Sequence, residues 1–211
     1  KLINILLYYF VMEFEKAYLN RRSIRKYKDK EIPLSLVGEI LDLACFAPSS
    51  GNLQNWRFVV VTDQNIRQEI ADACLQQTWM IDAPVFIVVC NEYNEVKSHY
   101  GKLGKMYSIQ NCANVATGIM LVAADKGLGS CWVGSFDNEA IQRILKIPES
   151  VDPEIIITLG YSNEVKQPSL REDLSTITFF NSWSNKFASF PSHLEKFKAS
   201  VKKQFQKIKK K

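Results

Sequence analysis

Residues 47–58 read APSSGNLQNWRF. A helical pattern runs into this stretch from Ser35–Phe46, with Leu36, Val37, Ile40, Leu41, Leu43 and Ala44 as its apolar face. A β-branched run, Phe58–Thr62, leaves it and reads as a strand. Between two elements that look buried lie Pro48, Ser49, Ser50, Gly51, Asn52, Gln54 and Asn55. Small polar side chains offer donors and acceptors without net charge. Gly51 lets backbone approach a ligand closely, and Pro48 stiffens the entry. Such a set suits the rim of a planar heterocycle, with Trp56 stacking or packing nearby. Read alone, it also suits an ordinary helix-to-strand loop.

The pattern continues as alternating helices and strands. A short helix is expected around Ile66–Leu75, and Pro84 introduces a doubly buried strand, VFIVVC, at 85–90. The longest helix spans Met106–Lys126. Ile109, Cys112, Ala113, Ala116, Ile119, Met120 and Ala123 form its apolar face, and Gly127 stops it. A short strand follows at 130–133, then a helix capped by Asp137 that runs to about Leu145, with Pro148 marking its end. Ile155–Leu159 is a further strand, and 163–185 reads as an extended arm. No repeat or internal linker is visible, so the expected fold is one α+β domain over 12–185.

Composition bounds the class. The chain has 211 residues, 46% hydrophobic and 23% charged, which fits a domain with a substantial core. No stretch reaches the roughly 18 apolar residues of a membrane span. The five cysteines are an odd, widely spaced set without a C-x-x-C pair. They read as reduced and largely buried, which suits a cytoplasmic protein. Residues 1–11 precede Met12 and read as an extension or remnant. A signal peptide would need a cleavage pattern that is missing there. The C-terminal stretch 195–211 holds eight lysines and one glutamate, about +7 within a chain of net +5. That basic tail, 186–211, is either a solvated helix or a weak contact for a membrane surface or acidic partner. No specific nucleic-acid motif accompanies it.

Two more constellations carry chemistry. Arg21, Arg22, Ser23 and Arg25 crowd three guanidinium groups and a hydroxyl into five residues, which suits a phosphate or a solvated basic turn. Gly127–Ser135, GLGSCWVGS, resembles a dinucleotide fingerprint but fails it. Trp132 stands where the third glycine belongs, and a helix precedes it. The better reading is a strand whose backbone passes close to something flat at Trp132, Val133 and Gly134. Cys131 has no thiol-activating motif beside it. Two histidines argue against a His-rich metal site, and no metal ligand is assigned. Phosphate-loop, serine-hydrolase and zinc-protease motifs are absent.

In order, RRSIRKY, APSSGNLQNWRF, GLGSCWVGSF and ITLGY resemble the nitroreductase family of flavoproteins, from about Phe14 to Trp183. YGKLG at 100–104 and YSIQN at 107–111 add to the likeness. The resemblance implies a three-layer α/β/α sandwich with a mainly antiparallel sheet, in an intertwined homodimer with FMN at the interface. It also implies hydride transfer from NADH or NADPH through FMN to a nitroaromatic, quinone or similar small acceptor, in a ping-pong cycle. Carried over by position, Arg21, Arg22, Ser23 and Arg25 would hold the FMN phosphate, ribityl chain and pyrimidine edge. Pro48, Ser49, Ser50, Asn52 and Gln54 would reach it from the partner. Trp132, Val133 and Gly134 would line the ring, and Arg171 would complete the phosphate site. Two departures stand out. Asn55 replaces a usual proline and is expected to loosen the loop, while Asn111 replaces a usual aspartate and removes a charge. The alternatives are a flavin-binding or flavin-sensing protein without turnover, and a binding module driven by the tail.

Overall fold

The computed structural model describes residues 14–186. The expectations for 1–11 and for the basic tail lie outside the described residues, apart from Lys186. The chain divides into two compact units, Lys1–Pro168 and Ser169–Lys211. In the first, helix α1 covers described residues 14–20, followed by α2 (Leu34–Ala44), β1 (Trp56–Val61) and α3 (Gln64–Ala73). Next come β2 (Val85–Asn91), α4 (Asn94–Tyr100), α5 (Gly104–Asp125), β3 (Gly129–Val133), α6 (Asn138–Leu145) and β4 (Asp152–Gly160). The four strands form one antiparallel sheet in the order β1-β2-β4-β3.

Alternation along the central strands builds two cores. Val85, Ile87 and Val89 of β2, with Ile155, Ile157 and Leu159 of β4, pack beneath Val37 and Ile40 of α2 and Cys112, Ala116 and Ile119 of α5. Phe86, Val88, Cys90 and Ile156 face the other way, onto Ile70 of α3, Met80 and Ile141 of α6. Both faces of the sheet are therefore covered, and the expected α/β/α sandwich is what forms. Each fully buried Ile or Phe contributes about 1.5–3 kcal/mol.

Differences from the sequence reading have physical causes. β4 starts at Asp152, three residues before the expected Ile155, and so contains Pro153. The register shifts between Val89 and Cys90, opposite that proline, and an irregular ladder tolerates its missing N–H. α4 was not expected because it buries only Val96 and so shows no apolar period. On α5, Cys112, Ala116, Ile119, Met120 and Ala123 are buried as expected, but Ile109 is 40% exposed. The expected extended arm contains a short helix, α7 (Leu174–Ile177), whose first turn Asp173 caps at Ser175 N. In the same unit a bridge joins Phe179 to Lys186.

Candidate functional site

The arginine segment is laid flat across the start of β3 and the end of β4. Ser23 bridges Ser130, and Ile24 N donates to Ser130 O at 2.9 Å. Tyr27 is buried; its hydroxyl donates to Ile24 O at 2.7 Å and accepts from Thr158 Oγ1 at 2.7 Å. Burial raises its pKa beyond the ordinary phenol value, so the donor stays protonated. Gly160 makes the approach feasible, because a Cβ there would sit 2.4 Å from Tyr27 Cδ1.

The segment after β4 then clasps it. Asn163 N donates to Lys26 O at 2.9 Å. One Glu164 carboxylate oxygen accepts from Arg25 N at 2.6 Å and from Lys26 N at 3.3 Å. Lys166 pairs with Glu164 at 3.3 Å and donates to Ser23 O. Burial pushes the Glu164 pKa up, yet the Arg25 and Lys26 amides and the Lys166 ammonium outweigh it, so the carboxyl lies below its usual value. Arg21, Arg22, Ser130, Ser162, Glu164 and Lys166 line a cavity of about 400 Å³. Arg25 points elsewhere: its guanidinium lies over the Trp79 ring, 5.5 Å from the centroid. The cluster thus separates into two basic positions rather than one.

Beside it, β3 is an edge strand whose outer side is bridged, among the described residues, by Ser23 at Ser130. Trp132 is 36% exposed, whereas Val133 is buried. Cys131 is buried, which raises its thiol pKa; Arg25, Ser23, Lys166 and Arg21 pull the other way without cancelling the rise. Burial also pushes Cys74, Cys90 and Cys112 up to about 12. These four thiols are therefore protonated near neutral pH, which leaves none of them as a nucleophile. No His/Cys/Asp/Glu cluster fit to hold a metal occurs among the described residues.

The loop at 48–55 sits on the other half of α5. Ser50–Asn52 form one tight turn, with positive φ at Gly51 (58°) and Asn52 (60°). Glycine and asparagine are the residues that enter this region most readily. Ser50 N and Ser50 Oγ donate to Asn111 Oδ1 at 2.9 and 3.1 Å, and Asn114 Nδ2 donates to Pro48 O at 3.2 Å. Gln54 folds back, its amide nitrogen 2.7 Å from Asn52 O and 2.9 Å from Asn52 Oδ1. Ser49 Oγ is buried with no hydrogen-bond partner among the described residues. Asn55 corrects one expectation. It is 5% exposed, accepts from Glu92 N through its carbonyl, and bonds Asn91 and Asn111 through its side chain. It fastens the loop instead of loosening it.

The two halves do not meet within one chain. Asn111 holds the loop, whereas Ala124 lines the arginine cavity, thirteen residues or about 20 Å further along α5. Arg171 lies in the second unit, exposed, donating to Leu170 O at 3.1 Å. Glu164, Lys166, Asn91 and Trp79 were missed by sequence reading. Only the charged pair directly after a predicted strand offered a signal, because the other two lie in apolar runs.

The sequence pattern described as "Nitroreductase family" matches residues 18–79 and 75–161. A Methanothermobacter thermautotrophicus protein with a provisional NADH dehydrogenase/NAD(P)H nitroreductase name is 36% identical over 157 residues, covering 72% of this chain and 79% of its own. The Thermus thermophilus NADH dehydrogenase is 29% identical over 198 residues, covering 81% and 97%. The structure of an FMN-dependent nitroreductase from Clostridium difficile R20291 superposes with a TM-score of 0.70 at 29% identity, covering 80% and 99%. The sandwich and the matched sequence agree, and this chain belongs to the nitroreductase family.

Proposed function

We infer that the protein is an FMN-dependent oxidoreductase. It passes hydride from NADH or NADPH to a small organic acceptor, a nitroaromatic, quinone or similar compound, in a ping-pong cycle. The observation that carries this reading is the cavity lined by Arg21, Arg22 and Lys166 beside β3, in a chain of this family. Basic side chains suit a phosphate, and the exposed Trp132 offers a flat face beside it.

The residues fit FMN on a second count. A buried hydroxyl without a partner, Ser49 Oγ, is rare in a folded protein and suits a ligand or partner atom. Arg21, Arg22, Ser23 and Lys166 would hold the phosphate. Arg25 would place fixed positive charge beside the pyrimidine edge, as preorganised donors stabilise developing negative charge. Trp132, Val133 and Gly134 would border the ring. Bound FMN supplies the hydride chemistry. The half-length of α5 between loop and cavity favours a site completed by a second copy, with Pro48, Ser49, Ser50, Asn52 and Gln54 reaching across. Leu43 (47% exposed), Phe46 (87%), Met106 (46%) and Ile109 (40%) supply apolar surface for that contact.

The purified protein is expected to carry FMN and to bleach anaerobically with NADH or NADPH, then reoxidise with quinones or nitro compounds. Replacing both Arg21 and Arg25 with alanine should release the flavin. A double variant that stays fully loaded sinks the assignment of these two arginines to the flavin, and a loaded protein that neither nucleotide bleaches sinks the enzyme reading.

A further inference from the structure

Beneath the Ser50–Asn52 turn lie four buried polar side chains, Asn55, Asn91, Ser108 and Asn111, in a core that is otherwise apolar. Their hydrogen bonds run in one direction. The Glu154 carboxylate can only accept, so Asn91 presents Nδ2 to it at 2.8 Å and also to Ser108 Oγ at 3.0 Å. Asn91 Oδ1 therefore faces Asn55, whose Nδ2 donates to it at 2.7 Å, with Ser108 O at 3.2 Å and Cys112 Sγ at 3.7 Å as further acceptors. Asn55 Oδ1 in turn receives Asn111 Nδ2 at 2.7 Å, which also points at Leu53 O, 3.4 Å away. Asn111 Oδ1 is left to accept from Ser50 N and Ser50 Oγ.

Both ends are one-way, since a carboxylate only accepts and a backbone N–H only donates. No amide between them can turn over without setting acceptor against acceptor in a dry place. We propose that Glu154, Asn91, Asn55 and Asn111 form a single directional relay that sets the donors of the Ser49–Asn52 turn, with Asn111 as the positioning residue. The relay rests on the reading that this turn meets FMN. It requires an amide at 111, because that side chain must accept from Ser50 and donate to Asn55 at once. A carboxylate can do only the first.

The test is a double-mutant cycle on the full chain with Asn111→Asp and Glu154→Gln. Asn111→Asp removes the donor to Asn55 Oδ1. Glu154→Gln then permits the whole relay to reverse: the amide introduced at 154 donates to Asn91, Asn91 to Asn55, and Asn55 to the new carboxylate at 111. Ser108 O opposes that reversal, so recovery should be partial. FMN dissociation constants from flavin fluorescence, and melting temperatures, are measured for all four proteins. Asn111→Asp should weaken FMN about tenfold, and adding Glu154→Gln should recover about threefold of it. Additive effects in both readouts overturn the relay. A wild-type protein that binds no FMN overturns the functional reading instead, while the melting temperatures still report the coupling. If Asn111→Asp does not fold, side-chain amide exchange in the wild type decides. Slow exchange at Asn55, Asn91 and Asn111 supports the relay, and exchange as fast as at surface asparagines overturns it.

Discussion

Glu164 is an acid set among Arg21, Arg22 and Lys166, and its use is local. It accepts two backbone N–H groups from the arginine segment, so it holds Arg25 and Lys26 in place instead of competing for a bound anion. Its pKa in the folded chain is depressed. Its contribution to stability is therefore complete above the ordinary carboxylate value and is lost as pH falls through the lower folded value. Glu164→Gln should lower the melting temperature by a few degrees at pH 7. The gap between variant and wild type should close in acid. Melting curves from pH 7 down to pH 3 check this, and a gap that widens in acid would contradict the assigned role.

At the scale of elements, the arginine segment depends on the strands beneath it. Tyr27 lies against Gly160 at the end of β4, and Pro84 approaches the same position. A methyl at 160 would meet Tyr27 Cδ1 at 2.4 Å and Pro84 Cδ at 2.9 Å. Neither neighbour can move freely, because Tyr27 is buried and hydrogen-bonded and the proline ring is rigid. Gly160→Ala should cost about 1–3 kcal/mol by overpacking, read by urea unfolding, and should weaken FMN by displacing Ser23 and Arg25. Unchanged stability would mean that the segment is not packed as tightly as the geometry indicates. α5 is the other organising element. Its N-terminal half carries the loop anchor Asn111 and its C-terminal end borders the basic cavity, so one rigid helix spaces the loop from the cavity.

For the whole molecule, that spacing and the outward apolar residues make the same point. Ile109 breaks the buried pattern of α5, and Phe46 stands almost fully exposed just past α2. If the site is completed by a second copy, as proposed, replacing both with glutamate should leave only monomer in sedimentation where the unaltered chain sediments as a dimer. FMN should be lost at the same time, because the loop would no longer reach a neighbour's site. A monomer that keeps its flavin would return the complete site to one chain.

The sequence by itself determined the sandwich and nominated the residues of the candidate site. β-Branched runs and helical periods report burial on two faces, and burial is a local pattern. It also singled out the arginines, the Ser-Gly-Asn turn and the Trp-Val-Gly strand as candidate chemistry, and the order of these motifs, not any one alone, carried the family resemblance. The tertiary structure decided what those residues do for one another. Asn55 became an anchor because Asn91 and Asn111, 36 and 56 positions away, close around it. Arg25 parted from Arg21 and Arg22 because Trp79 stands beneath it. Ile109 turned outward because the sheet covers less than the full apolar arc of α5. Directional hydrogen bonds and side-chain facing depend on partners distant in the chain. For that reason periodicity could predict the layers but not the relay beneath the turn.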